Sequence, residues 1–153
     1  MQIPVLTVSV PIDSLSVISK VTVAAPPDRQ KDRKLLWTHA KAKWDTGAQI
    51  CSISRSLCNT MGFKPRIKMP VSSVSGTVEA LQDMILIDVM MDGYFFPVLA
   101  SVIDTMPGAD CDMLIGMNLI SNGDFSLSFD KGNINMTFKP YPGTLKKFIE
   151  KKK

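Results

Sequence analysis

Apolar and polar residues alternate along most of this chain, the period-two pattern of half-buried strands. Gln2 to Val10 shows it first, with β-branched residues at Ile3, Val5, Val8 and Val10. Pro11 to Ser14 reads as a turn and Val17 to Ala24 as a second strand, so the pattern predicts an N-terminal hairpin. The proline-led polar run at 26–34 predicts an exposed loop. From Leu35 to Trp44 the alternation returns, with Ala40, Ala42 and Trp44 on one face and His39, Lys41 and Lys43 on the other.

Four-residue spacing then interrupts it. Ile53, Leu57 and Met61 predict a helix over Ser52 to Met61, capped by Ser52 or Ser54 and ended by Gly62. Strand patterns resume. Val71 to Leu81 predicts a hairpin turning at Ser75-Gly76, and Asp92-Gly93 predicts a second turn, between Met84–Val89 and Tyr94–Ile103. Met113 to Ile115 predicts a short buried strand, and Asn118 to Ser121 a short helix stopped by Asn122-Gly123. Phe125, Leu127 and Phe129 alternate with serines, then Ile134, Met136 and Phe138 alternate back. Many short strands with frequent turns predict an all-β, barrel-like domain. It spans residues 1–140, followed by a basic tail at 141–153 in which Leu145 to Lys153 predicts a short helix.

Composition changes this picture little. A chain of 153 residues that is 45% hydrophobic and 21% charged is expected to fold around one core. The net charge is +4, and Lys146, Lys147, Lys151, Lys152 and Lys153 supply much of it. That tail reads as a solvated stretch; contact with nucleic acid or an anionic membrane is the alternative. No basic-then-apolar leader and no long apolar run is present, and three cysteines are an odd number. Together these predict a cytoplasmic protein with reduced thiols at Cys51, Cys58 and Cys111. Cysteine spacing matches no zinc pattern, and the single histidine, His39, lies apart, so no metal is expected. His39 reads as a partly exposed strand residue.

Candidate chemistry lies in two short motifs. Asp45-Thr46-Gly47-Ala48 follows an apolar strand and has the residues of a tight turn that lifts a carboxylate out of a sheet. Further on, Leu114-Ile115-Gly116 precedes Met117-Asn118. Either motif alone could be a plain turn or a strand end. In this order, inside a β-rich chain with a hairpin between them, the pair resembles the retroviral-type (retropepsin-like) aspartic proteases, over about Leu36 to Phe138.

The resemblance implies a closed barrel-like acid-protease fold with one short helix, forming a C2 homodimer. It makes Asp45 the catalytic carboxylate, with Thr46, Gly47 and Ala48 as its support. Ser75, Gly76 and Thr77 become the tip of a flap over the substrate. Leu114, Ile115 and Gly116 pack behind the site, and Asn118 opens the following helix where the family has Asp or Asn. A two-lobed, pepsin-like enzyme would carry a second Asp-Thr/Ser-Gly, and this chain has none. The second carboxylate therefore comes from another copy. Two carboxylates about 3 Å apart share one proton, so one accepts a proton from water while the other donates to the carbonyl oxygen. Water is the nucleophile, so the reaction needs no cofactor, and the substrate is an extended peptide. A dimer of the same fold that binds peptides without cutting them is the other expectation. Trp44 departs from the family, which usually has a smaller aliphatic residue there.

Overall fold

The computed structural model describes residues 5–24, 37–65, 67–72, 79–91, 94–106, 110–142 and 146–147. The expected loop at 26–34, the flap tip Ser75, Gly76 and Thr77, and the turn at Asp92-Gly93 lie outside them. No helix among the described residues is long and apolar enough to cross a membrane.

Eleven strands and two short α-helices are described. Strand β1 is Leu6–Pro11, followed by a 3-10 turn at Ile12–Ser14; β2 is Ile18–Ala24 and β3 is Trp37–Trp44. Next come β4 (Cys51–Ser54), α1 (Arg55–Thr60), β5 (Ile67–Ser72), β6 (Glu79–Met91) and β7 (Tyr94–Ile103). The chain ends with β8 (Met113–Ile115), α2 (Met117–Ile120), β9 (Gly123–Asp130), β10 (Asn133–Pro140) and β11 (Lys146–Lys147).

Six strands close into a barrel in the order β7-β4-β8-β3-β2-β6. Strand β6 makes closure possible. Its 13 residues pair with β7 along one edge, while the other edge pairs first with β5 and then with β2. Inside lie Val21, Val23, Ile53, Ile87, Val89, Val102 and Ile115, with Ala40, Ala42 and Ala100 where less side-chain volume fits. The predicted faces of β3 hold: Ala40, Ala42 and Trp44 are buried, while His39 and Lys41 are exposed. His39 Nδ1 lies 3.2 Å from Thr22 Oγ1. Strands β5 and β6 pair antiparallel from Ile67↔Met84 to Ser72↔Glu79, so the expected flap hairpin has two arms, and they begin earlier than predicted.

A separate sheet, β1-β10-β9, packs Ile134, Met136 and Phe138 onto the barrel. Burying one such side chain contributes about 1.5–3 kcal/mol.

Three expectations are corrected. The N-terminal strands form no hairpin: β1 pairs with β10, and β2 with β3 and β6. The 3-10 turn and the left-handed Leu15 (φ 53°) carry the chain from one sheet to the other. Cys51–Ser54 is a strand, and the helix begins only at Arg55, because Ser54 is extended and its Oγ accepts from the Leu57 N–H at 3.0 Å. In the tail, Lys146 and Lys147 pair with Phe95 and Tyr94 as a strand edge instead of forming helix.

Candidate active site

Trp44 ends β3 and fixes where the next residue starts. Its N–H donates to Val17 O at 3.0 Å, and its indole Nε1 donates to Ser19 Oγ at 2.8 Å in a buried contact. The ring lies 6.0 Å from Phe125, stacked, and 5.3 Å from Phe138, tilted. The larger side chain is thus accommodated by two aromatic rings from the β1-β10-β9 sheet and by Ser19 of β2, which pairs the indole N–H.

Asp45 follows as the chain leaves the barrel. Its N–H donates to Ile115 O at 2.9 Å, continuing the parallel ladder between β3 and β8. The Gly47 N–H donates to Asp45 Oδ1 at 2.9 Å, and Ala48 N–H to Asp45 O at 3.2 Å. This is an Asx-type turn, in which the aspartate orients its own carboxylate by capping the loop it begins. Asp45 is half-buried, while Thr46 and Gly47 are exposed. The Thr46 hydroxyl has no hydrogen-bond partner among the described residues.

Strand β8 runs between β3 and β4, parallel to the first and antiparallel to the second. It brings Gly116 against the far side of the Asp45 loop. A Cβ there would sit 2.5 Å from Ile50 O and 2.9 Å from Ala48 O, which only glycine avoids. Beyond it, Met117 N–H donates to Ala48 O at 2.8 Å and Asn118 N–H to Gln49 O at 3.0 Å. Leu114 and Ile115 are buried behind the loop.

Asn118 uses both ends of its amide. Oδ1 accepts from the Cys51 N–H at 2.8 Å, and Nδ2 donates to Leu99 O at 2.8 Å. One side chain thus ties the end of the loop to β7. An aspartate could make the first bond but would set an oxygen against the Leu99 carbonyl, so the amide suits this site.

The pattern of residues gave no signal for Cys51. It is fully buried, and its Sγ accepts from the Gly116 N–H at 3.4 Å. Burial raises its thiol to about 11, against backbone donors that pull the other way, so it is a neutral acceptor at ordinary pH. Ser19 was equally unmarked, because its role depends on the indole across the sheet. Asp45, Thr46, Gly47, Ala48, Leu114, Ile115, Gly116 and Asn118 therefore converge on one loop.

No protein-family model and no curated protein sequence matches the chain. Solved structures do. A retropepsin-like aspartic protease from Rickettsia conorii is similar over 82% of this chain and 95% of its own, at 15% identity and a TM-score of 0.48. The retroviral protease-like domain of Ddi1 from Leishmania major is similar over 81% of this chain and 95% of its own, at 18% identity and a TM-score of 0.44. In this molecule, the Asp-Thr-Gly loop leaves a closed six-stranded barrel and is held from behind by the Leu-Ile-Gly strand: the fold is retropepsin-like.

Proposed function

We propose that this chain is an aspartic endopeptidase that works as a homodimer. The observation that carries the reading is the Asp45 loop: a half-buried carboxylate aimed by the Gly47 N–H and braced by Gly116. One such carboxylate is half of an acid–base pair, and the Asp45 of a second copy supplies the other half. The exposed Thr46, with its hydroxyl free of intrachain partners among the described residues, suits a bond across the twofold axis beneath the two aspartates.

A water held between the carboxylates gives a proton to the ionised one. Its oxygen attacks the scissile carbonyl, whose oxygen takes the proton of the other carboxyl. Collapse of the tetrahedral intermediate breaks the C–N bond, and the amine leaves with a proton from the pair. The β5–β6 hairpin serves as the substrate cover, with Ser75, Gly76 and Thr77 as its tip, and an extended peptide lies beneath it as an added strand. Residues 1–140 form the catalytic unit and 141–153 a basic tail.

Cleavage of a peptide library, mapped by mass spectrometry across pH, tests this. The wild-type chain is expected to cut extended peptides at mildly acidic pH, and Asp45→Asn to lose at least about 1,000-fold in kcat/KM with its fold intact. Equal cleavage by the variant would sink the assignment. Peptide binding by both proteins with cleavage by neither would make the chain a binding module.

A further inference from the structure

Lys43 lies two residues before Asp45, and side chains two apart along an extended chain share a face. The Asp45 N–H continues the β3–β8 ladder, so the alternation reaches it. Lys43 thus stands ~6–7 Å from Asp45, Cα to Cα, on the side where the carboxylate emerges. This is the outer face of the barrel, since Ala42 and Trp44 take the inner one. The register shows what else stands there. Lys43 opposes Leu114, Leu114 opposes Ser52, Ser52 opposes Ser101, Ser101 opposes Met84, and Met84 opposes Ile67. This row crosses the barrel wall from β3 to β5, one arm of the hairpin read above as the substrate cover. Leu114 and Met84 are buried, and the Ser52 and Ser101 hydroxyls are spent on each other, 2.7 Å apart. Every member except Lys43 is neutral. The row therefore holds one charge, a positive one, at the end that leads into Asp45.

The acids of this chain leave that charge available. Asp45 Oδ1 is turned into its own loop by the Gly47 N–H, and Asp112 Oδ2 takes the Lys41 N–H at 3.0 Å. The Cys111 thiol, raised chiefly by burial, is also pulled down by Lys43 and up by Asp112 and Asp110, so these acids share the neighbourhood. Among the described residues, none forms an ion pair with Lys43. Lys43 is half-buried, whereas Lys20 and Lys41 on the same face are exposed, so its charge is screened less than theirs.

We infer that Lys43 selects peptides carrying an acidic side chain within two residues of the cut bond. The inference rests on the paired-aspartate reading above. An extended peptide advances about 3.3 Å per residue, so a side chain one or two residues from a bond held at Asp45 comes level with Lys43. Its carboxylate accepts a charge-assisted hydrogen bond from the ammonium. Two copies of the chain bring two such lysines, one on each side of the axis, so the acid can lie on either side of the bond.

The test compares peptides that differ only in Glu or Gln one or two residues from a mapped cut, at about pH 6, where a free Glu is ionised. The full chain is expected to show a kcat/KM ratio of Glu to Gln peptide of roughly 10. Lys43→Met should bring that ratio near one, and Lys43→Glu should invert it and favour Lys or Arg at the same place. Lys41→Met, farther along the strand, should keep the wild-type ratio. Circular dichroism checks each fold, and if one Lys43 variant does not fold, the other decides. A wild-type ratio near one, or a folded Lys43→Met that keeps the wild-type ratio, overturns the inference and leaves the protease reading standing. If no peptide is cut, fluorescence anisotropy with labelled Glu and Gln peptides decides. Tighter binding of the Glu peptides that Lys43→Met abolishes keeps the acidic subsite and removes the protease reading. Equal binding of the two, or binding of neither, overturns the subsite as well.

Discussion

A methyl group on Gly116 would press on the carbonyl oxygens of Ile50 and Ala48, and these are backbone atoms that cannot turn away. Gly116→Ala is therefore expected to destabilise the fold by about 1–3 kcal/mol, read from urea midpoints, with a larger proportional loss of cleavage because the Asp45 loop must shift. Asn118→Asp tests the amide. The introduced carboxyl faces the Leu99 carbonyl oxygen, so the folded state prefers its neutral form and its folded pKa lies above the unfolded one. The variant is thus expected to be nearest to wild-type stability at acidic pH and to lose stability as pH rises through that folded pKa, by about 1–3 kcal/mol at neutrality. Urea titrations at several pH values check it. Residues such as Asp45, Gly116 and Asn118 were legible because each sits in a short motif whose chemistry is local. Cys51 and Ser19 were not, because a buried sulfur or hydroxyl gains its role from a partner far along the chain.

At the scale of elements, strands set off by turn residues were legible, and the one that runs straight into a helix was not. β7 and β8 fall where predicted, while β4 was hidden: Cys51, Ser52 and Ile53 are all buried, so no period-two signal exists there, and the four-residue spacing of the helix beyond ran back over it. The N-terminal hairpin failed for another reason. Adjacent strands usually pair, but β1 had a better apolar partner in β10, where Leu6, Val8 and Val10 oppose Phe138, Met136 and Ile134. Strand β4 also carries a pH prediction. Its Cys51 thiol is raised from 9.0 to about 11 by burial. The folded chain keeps a proton that the unfolded chain releases, so stability is present below the lower value and falls as pH climbs toward the upper. Wild type is expected to lose more stability than Cys51→Ala between about pH 8 and about pH 10.5, measured as the difference in urea midpoints.

For the whole molecule, the barrel was legible from the count of strands and turns, whereas its closure was not, since nothing in the pattern says that β6 pairs along both edges. The assembly makes its own prediction. If the site needs two copies, cleavage per chain is expected to rise with protein concentration and then level off at the concentration where sedimentation shows the dimer complete. Activity per chain that stays flat through the dissociation range would separate the chemistry from the assembly.

The insertion of β8 between β3 and β4 also bears on how the fold is made. The residues that brace Asp45 are synthesised long after Asp45 itself, and the contacts between them are among the most non-local in the fold. A nascent chain that has not yet extruded Gly116 holds the motif aspartate without the strand that positions it. A fragment ending at Asp110 is accordingly expected to leave the Asp45 loop unbraced, so the order of synthesis keeps the candidate site from assembling on an unfinished chain.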